Sequence, residues 1–201
     1  MSAPHDDELH PVETEGYKVG EKKTVEEYAK LDAEDEALNR WKASLGIGAG
    51  AQTLSIGEPG DMRTVVILEL ALLATDRDPI IIDLDKPNAV EQLEKTPFTI
   101  KEGATYRMRV KFRVQHEVIS GLRYLQLVKR KGVTVDKSDQ MMGSYAPNTK
   151  ENPFYEKTFA EEEAPSVMFF RGNYTALSKF MDDDKKAHLE FKWQFDIKKT
   201  W

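Results

Sequence analysis

Between residues 189 and 197 the chain alternates without interruption. Leu189, Phe191, Trp193, Phe195 and Ile197 hold the odd positions, and Glu190, Lys192, Gln194 and Asp196 lie between them. A β-strand sends successive side chains to opposite faces, so all five large apolar groups share one face. Three of the five are aromatic. Such a face either closes a core or walls a pocket that the core leaves open, and the functional question turns on which.

The rest of the chain beyond residue 60 reads the same way. Residues 65–73 are a nearly continuous apolar run broken only by Glu69, as in a strand buried on both faces. A short strand is expected at 80–84 and another at 98–100, the latter closed by a tight turn at Glu102 and Gly103. Tyr106, Met108, Val110, Phe112 and Val114 alternate with Arg107, Arg109, Lys111 and Arg113, giving one apolar and one basic face. Residues 121–129 form a further strand, and Lys131 and Gly132 turn the chain into Val133 and Val135. A polar loop is expected from Tyr145 through Pro153, and another strand at 174–180. Eight or nine short strands at regular spacing, without βαβ units, imply an all-β, immunoglobulin-like antiparallel sandwich over residues 61–201.

Residues 1–60 read as a flexible, partly helical arm. Residues 1–23 are polar and too poor in apolar groups to order themselves. Thr24 followed by Glu27 is a capping box that opens a short helix carrying Tyr28 and Leu31. Asp32 is placed to cap a second helix with Leu38, Trp41 and Leu45 on one stripe and Gly46 as its stop. Helices this short are marginal alone and make sense folded against something else. Residues 46–63, with five glycines and a proline, read as a linker.

Charge divides at the same boundary. The net charge is −6; residues 1–50 hold 12 acids and 6 bases, which leaves 23 of each in the remainder. An acidic arm on a neutral body argues against nucleic acid and for a basic protein surface as partner. There is no cysteine, which favours a reducing compartment. No apolar run is long enough to span a bilayer, and the acidic first ten residues do not read as a secretory signal.

Catalytic signals in the pattern are poor. The four histidines, His5, His10, His116 and His188, lack metal-ligand spacing, and there is no nucleophile elbow or phosphate-binding loop. No cofactor, metal or enzyme activity is expected. Asp182, Asp183 and Asp184 read as a solvated turn that also offers contact to a basic partner. The basic stripe from Arg107 to Arg113 reads as an outward sheet face with cross-strand partners such as Glu190 or Asp196.

Several stretches taken together resemble the Rho GDP-dissociation inhibitors: residues 31–38 (LDAEDEAL), 99–107 (TIKEGATYR), 118–124 (VISGLRY), 130–133 (RKGV), 142–145 (MGSY), 162–165 (EEAP) and 182–185 (DDDK), the last running into the Trp193 strand. The resemblance covers the chain from about residue 17 onward, in order. It implies a cytoplasmic regulator that binds prenylated, GDP-bound Rho-type GTPases, slows GDP release, blocks exchange and extracts the GTPase from membranes, touching the membrane surface only transiently. The sandwich would take the geranylgeranyl group between its sheets while the arm lies on the switch regions. Carried over by position, Asp35 matches the arm carboxylate that contacts the GTPase, and Asp184 a carboxylate of the sandwich that does the same; Leu31, Leu38 and Trp41 belong to the arm's contact surface. Leu45, Leu72, Phe98, Tyr106, Val118, Phe191 and Trp193 fall where the family lines its lipid pocket. Phe191 replaces a frequent tryptophan and Gly46 a frequent leucine, and both changes reduce bulk. Rival readings are a sandwich carrying other lipidated cargo, which would have no need of an acidic arm, and a carbohydrate-binding sandwich, which would have a filled core.

Overall fold

A computed structural model describes residues 9–11, 23–44 and 60–201. Within them, the helices α1 (Val25–Lys30) and α2 (Glu36–Ser44) precede the strands β1 (Val65–Ala74) and β2 (Ile80–Asp83), a helix α3 (Ala89–Lys95), and the strands β3 (Phe98–Lys101), β4 (Thr105–Val114), β5 (Ile119–Arg130), β6 (Val133–Tyr145), β7 (Tyr155–Glu163), β8 (Gly172–Met181) and β9 (Ala187–Lys198). A single 3-10 turn, Met168–Phe170, lies between β7 and β8. Most of the expected linker, Leu45 and Gly46 lie outside the described residues.

The strands form two sheets, ordered β2-β1-β4-β7 and β3-β9-β8-β5-β6. Their inner faces share one buried cluster. Leu70, Leu72, Met108, Val110 and Phe112 of the first sheet meet Leu122, Tyr124, Phe180, Phe191, Trp193 and Phe195 of the second. Full burial of each such side chain contributes about 1.5–3 kcal/mol, and this is what holds the sandwich closed. The 189–197 alternation appears as expected: the odd residues of β9 belong to the cluster or pack against it.

Four features depart from the sequence reading. The sandwich is not wholly antiparallel, because β3 runs parallel to β9, with Phe98 opposite Phe195 and Ile100 opposite Ile197. The chain leaves β2 in one sheet and returns as an edge strand of the other, and α3 makes that crossover. This helix escapes sequence detection because only Ala89 and Leu93 are buried along its seven residues, too short a stripe to show a period. Strand β7 escapes for a different reason: it is an edge strand, its sequence YEKTFAEEE is mostly polar, and only Phe159 is buried. Finally, the basic stripe of β4 does not pair with Glu190 or Asp196, which lie on the opposite sheet. Arg109 donates to Glu69 at 3.0 Å and Arg107 to Glu161 at 2.9 Å, both within their own sheet. Lys111 sits 3.8 Å from the centre of the Phe154 ring. Glu190 is taken by Lys179 and Asp196 by Lys198.

The capping box of α1 is present: the Thr24 hydroxyl accepts from the Glu27 amide at 3.2 Å, and the Glu27 carboxylate accepts from the Thr24 amide at 2.7 Å. For α2 the cap is Asp35 rather than Asp32. Asp35 Oδ1 accepts from the amides of Ala37 and Leu38 at 2.9 and 3.0 Å, the second and third helical positions that an N-cap side chain serves. Asp32, with φ 48°, makes the left-handed bend between the helices instead.

Candidate functional site: a cavity between the sheets and a separate groove at the arm

A cavity of about 560 Å³ opens between the two sheets. Its apolar walls are Leu72, Met108, Ile100, Val128, Tyr174, Trp193, Phe195 and Ile197, with Val135, Pro165 and Phe170 also lining it. The size falls in the range of about 300–1,000 Å³ typical of small-ligand sites. Polar groups are few and fixed. Tyr106 donates its hydroxyl to Glu162 at 2.8 Å; burial first, and then the negative charge of Glu162, push its pKa far above the ordinary phenol value, so the hydroxyl keeps its proton. Arg130 donates to the Arg171 carbonyl at 2.8 Å and lies over the Tyr174 ring, whose hydroxyl donates to the Phe170 carbonyl at 2.6 Å.

Trp193 is locked at the cavity wall by a buried polar network. Its indole N–H donates to Ser178 Oγ at 2.8 Å. The same Oγ lies 2.8 Å from the Tyr124 hydroxyl, which also accepts from Gln126 Nε2 at 3.1 Å. Phe98 stacks on Trp193, with centroids 5.1 Å apart and planes 12° off parallel. One side chain thus touches both core and cavity because its N–H has a partner within the core.

Of the residues assigned to the lipid pocket by resemblance, Leu72, Tyr106 and Trp193 line this cavity. Phe98 backs it through its stack on Trp193. Phe191 is buried in the shared core and does not line it. Val118 lines a different groove, and Leu45 lies outside the described residues. Sequence reasoning passed over Met108, Val128, Val135 and Phe170. Met108 and Val128 stand on the inward faces of alternating strands and read as core, whereas Val135 and Phe170 sit at exposed positions that only the packing brings to the opening.

The second groove, about 340 Å³, lies where the arm meets the sandwich. Tyr28, Leu31, Asp32, Leu38 and Lys42 supply one side, and Val118, Ser120, Ser144, Tyr145 and Ala146 the other. Lys42 is buried and donates to the Leu31 carbonyl, closing α1 against α2. Two of the arm residues expected to contact a partner, Leu31 and Leu38, therefore face the sandwich at this groove. Trp41 lies on α2, and its side chain is not among those described.

Asp182, Asp183 and Asp184 form the bend between β8 and β9 and have three different surroundings. Asp182 is buried. It accepts from the Lys186 amide at 3.0 Å and lies 2.8 Å from His188 Nε2. Burial pushes its carboxyl up, but the hydrogen bonds from His188 and the Lys186 amide outweigh this and leave it below the ordinary carboxylate value. Asp183 donates its amide to the Ser120 carbonyl at 3.1 Å, and Ser120 also lines the arm groove. Asp184 is exposed. Asp184 thus directly follows the residue that bonds to Ser120 of the arm groove, whereas Asp35 lies exposed at the α2 N-terminus. Among the described residues no group of three or more histidines or acids is placed to hold a metal ion, and no helix is long and apolar enough to cross a membrane.

Comparison with known proteins identifies the family. A family model described as RHO protein GDP dissociation inhibitor matches residues 2–200. The Rho GDP-dissociation inhibitor of Schizosaccharomyces pombe is 53% identical over 183 residues, covering 91% of this chain and 86% of the relative. That of Saccharomyces cerevisiae is 50% identical over 184 residues, covering 91% and 90%. Human Rho GDP-dissociation inhibitor 1 is 38% identical over 201 residues, covering 100% of this chain and 93% of the relative. With a matching family model along nearly its whole length and relatives this close, the chain belongs to the Rho GDP-dissociation inhibitor family.

Proposed function

We propose that this protein inhibits GDP dissociation from Rho-type GTPases by a non-catalytic, two-part grip. The 560 Å³ cavity receives the geranylgeranyl group of the prenylated GTPase, and the arm together with Asp184 contacts the GTPase itself, favouring its GDP-bound form. Extraction from the membrane into the cytoplasm follows from the first part, and slowed GDP release and blocked exchange from the second. The observation that supports the lipid half is an apolar cavity between two sheets that otherwise share a closely packed core.

The energetics require both parts. Prenyl chains gain about 0.8 kcal/mol per buried CH₂, so a twenty-carbon chain is worth on the order of 10 kcal/mol in lipid or in protein alike. Transfer between the two is nearly balanced on that term, and the polar contacts of the arm and of Asp184 tip it toward the protein. Ordering the arm opposes this. Helices α1 and α2 line one side of the groove opposite Val118 and Ser144, and packing there reduces the ordering that binding must supply.

Val135 tests the lipid half without disturbing the core. It lines the cavity yet is 52% exposed, so Val135→Asp is expected to fold normally. A charge at the opening carries a desolvation penalty when the chain enters. Extraction of prenylated GTPase from vesicles should fall about ten-fold, while thermal unfolding of the free protein stays within a few degrees. Unchanged extraction in a vesicle sedimentation assay would reject the cavity as the lipid site.

A further inference from the structure

The outer face of the five-stranded sheet carries an apolar patch that the sandwich core does not use. Leu125 and Leu127 of β5 and Leu177 and Met181 of β8 point away from the core, being out of phase with Tyr124, Val128, Ala176 and Phe180 on the same strands. An outward sheet face is ordinarily polar. Among the described residues, Leu9 from the other end of the chain covers the patch: only 2% exposed, it packs with Leu125, Leu127 and Met181 as a separate cluster, with Leu177 against it. Nothing in the sandwich demands this contact. It joins the start of the arm to a face that lies outside both the cavity and the α1–α2 groove.

The surroundings of the patch suit its occupant. Leu127 and Leu177 continue into a groove of about 210 Å³ that Glu94, Lys129 and Lys192 also line, and Lys179, paired with Glu190, stands beside them on β8. In the sequence, Asp6, Asp7 and Glu8 immediately precede Leu9. The rim is mixed in charge, since Lys179 pairs with Glu190 and Glu94 lines the groove, so the apolar contact of Leu9 is what holds the segment on this face. Met181 also adjoins Asp182, so the socket lies directly behind the β8–β9 bend that carries Asp184.

We infer that the outer face of the five-stranded sheet is a docking site for the chain's own Leu9–Pro11 segment, which pins the start of the arm behind the Asp184 bend. The arm is then held at two points, Leu9 on this face and the α1–α2 pair in its groove. A tether raises the effective concentration of the arm at the GTPase without adding any contact to the GTPase. This function of the anchor rests on the proposal that the arm acts on the GTPase; the docking itself does not.

Methyl NMR on the full chain separates the two. Leu9→Asp is expected to shift the methyl resonances of Leu125, Leu127 and Leu177 while leaving those of core residues such as Leu72 and Leu122 in place; Leu9→Met, which keeps an apolar side chain, leaves all of them near their original positions. Absence of shifts at Leu125, Leu127 and Leu177 in Leu9→Asp overturns the docking site. In a GDP-release assay with prenylated Rho GTPase, Leu9→Asp should raise the concentration for half-maximal inhibition by roughly three- to ten-fold, as loss of a tether does, and Leu9→Met should not. Methyl shifts with unchanged inhibition overturn the tethering role. If the unaltered chain itself fails to inhibit, the functional proposal falls, and the methyl shifts still decide the docking.

Discussion

Asp35 shows how much a single residue can carry. Its carboxylate caps α2 through the Ala37 and Leu38 amides, and in the function proposed above the same carboxylate contacts the GTPase. Two substitutions separate these roles. Asparagine is as good an N-cap as aspartate, whereas alanine loses about 1 kcal/mol of helix stability. Asp35→Asn should therefore preserve the protection of the α2 amides in hydrogen exchange and still weaken inhibition of GDP release, whereas Asp35→Ala should lose both. Full inhibition by Asp35→Asn would mean that the cap, and not the charge, is what matters. The capping box at Thr24 was legible in the sequence because it is local, two residues three apart. The choice of Asp35 over Asp32 was not, since both are good caps and the tight bend at Asp32 depends on how α1 and α2 pack, with Lys42 closing on the Leu31 carbonyl.

Among the elements, the bend between β8 and β9 is built by its neighbours. Strand β5 carries a register shift between Ile119 and Leu122, and Gly121 within it has φ +60°, a conformation natural to glycine. A β-carbon there would lie 2.0 Å from the Asp183 carboxylate. Gly121→Ala should therefore push the Asp183 side chain away, strain the backbone and destabilise the protein by about 1–3 kcal/mol, read as a lower urea midpoint. It should also weaken GTPase binding by displacing Asp184; an unchanged midpoint would show that the bend adapts freely. Element identity followed legibility closely. Strand β9 and the β4 alternation were plain in the sequence because each has one wholly apolar face. Strand β7 and α3 were not, because an edge strand and a seven-residue helix bury too few residues to mark a period.

At the scale of the whole molecule, two buried clusters among the described residues divide the labour. The large one draws only on residues of the sandwich, and the small one adds Leu9 from the arm. Deleting residues 1–46 should leave the sandwich folded, because the large cluster draws on none of them; the lost burial of Leu9 costs about 1.5–3 kcal/mol, to which the lost contacts of α1 and α2 at their groove add. Binding that depends on the prenyl group should persist, and inhibition of GDP release should be lost. Thermal unfolding and labelled-GDP release measured on the same preparation check both, and inhibition by the truncated chain equal to that of the full chain would overturn the assignment of inhibition to the arm. The sequence by itself determined the class of fold, the apolar face of β9 and the acidic arm, because period, composition and charge are carried by residues adjacent in the chain. Which aromatic group faces a cavity and which fills the core was decided only by the tertiary structure. Phe191 and Trp193 stand on the same face of the same strand, but Trp193 is held against Ser178 at the cavity wall while Phe191 is packed into the core. That distinction depends on what the opposite sheet places across from each of them, and residues distant in sequence supply it.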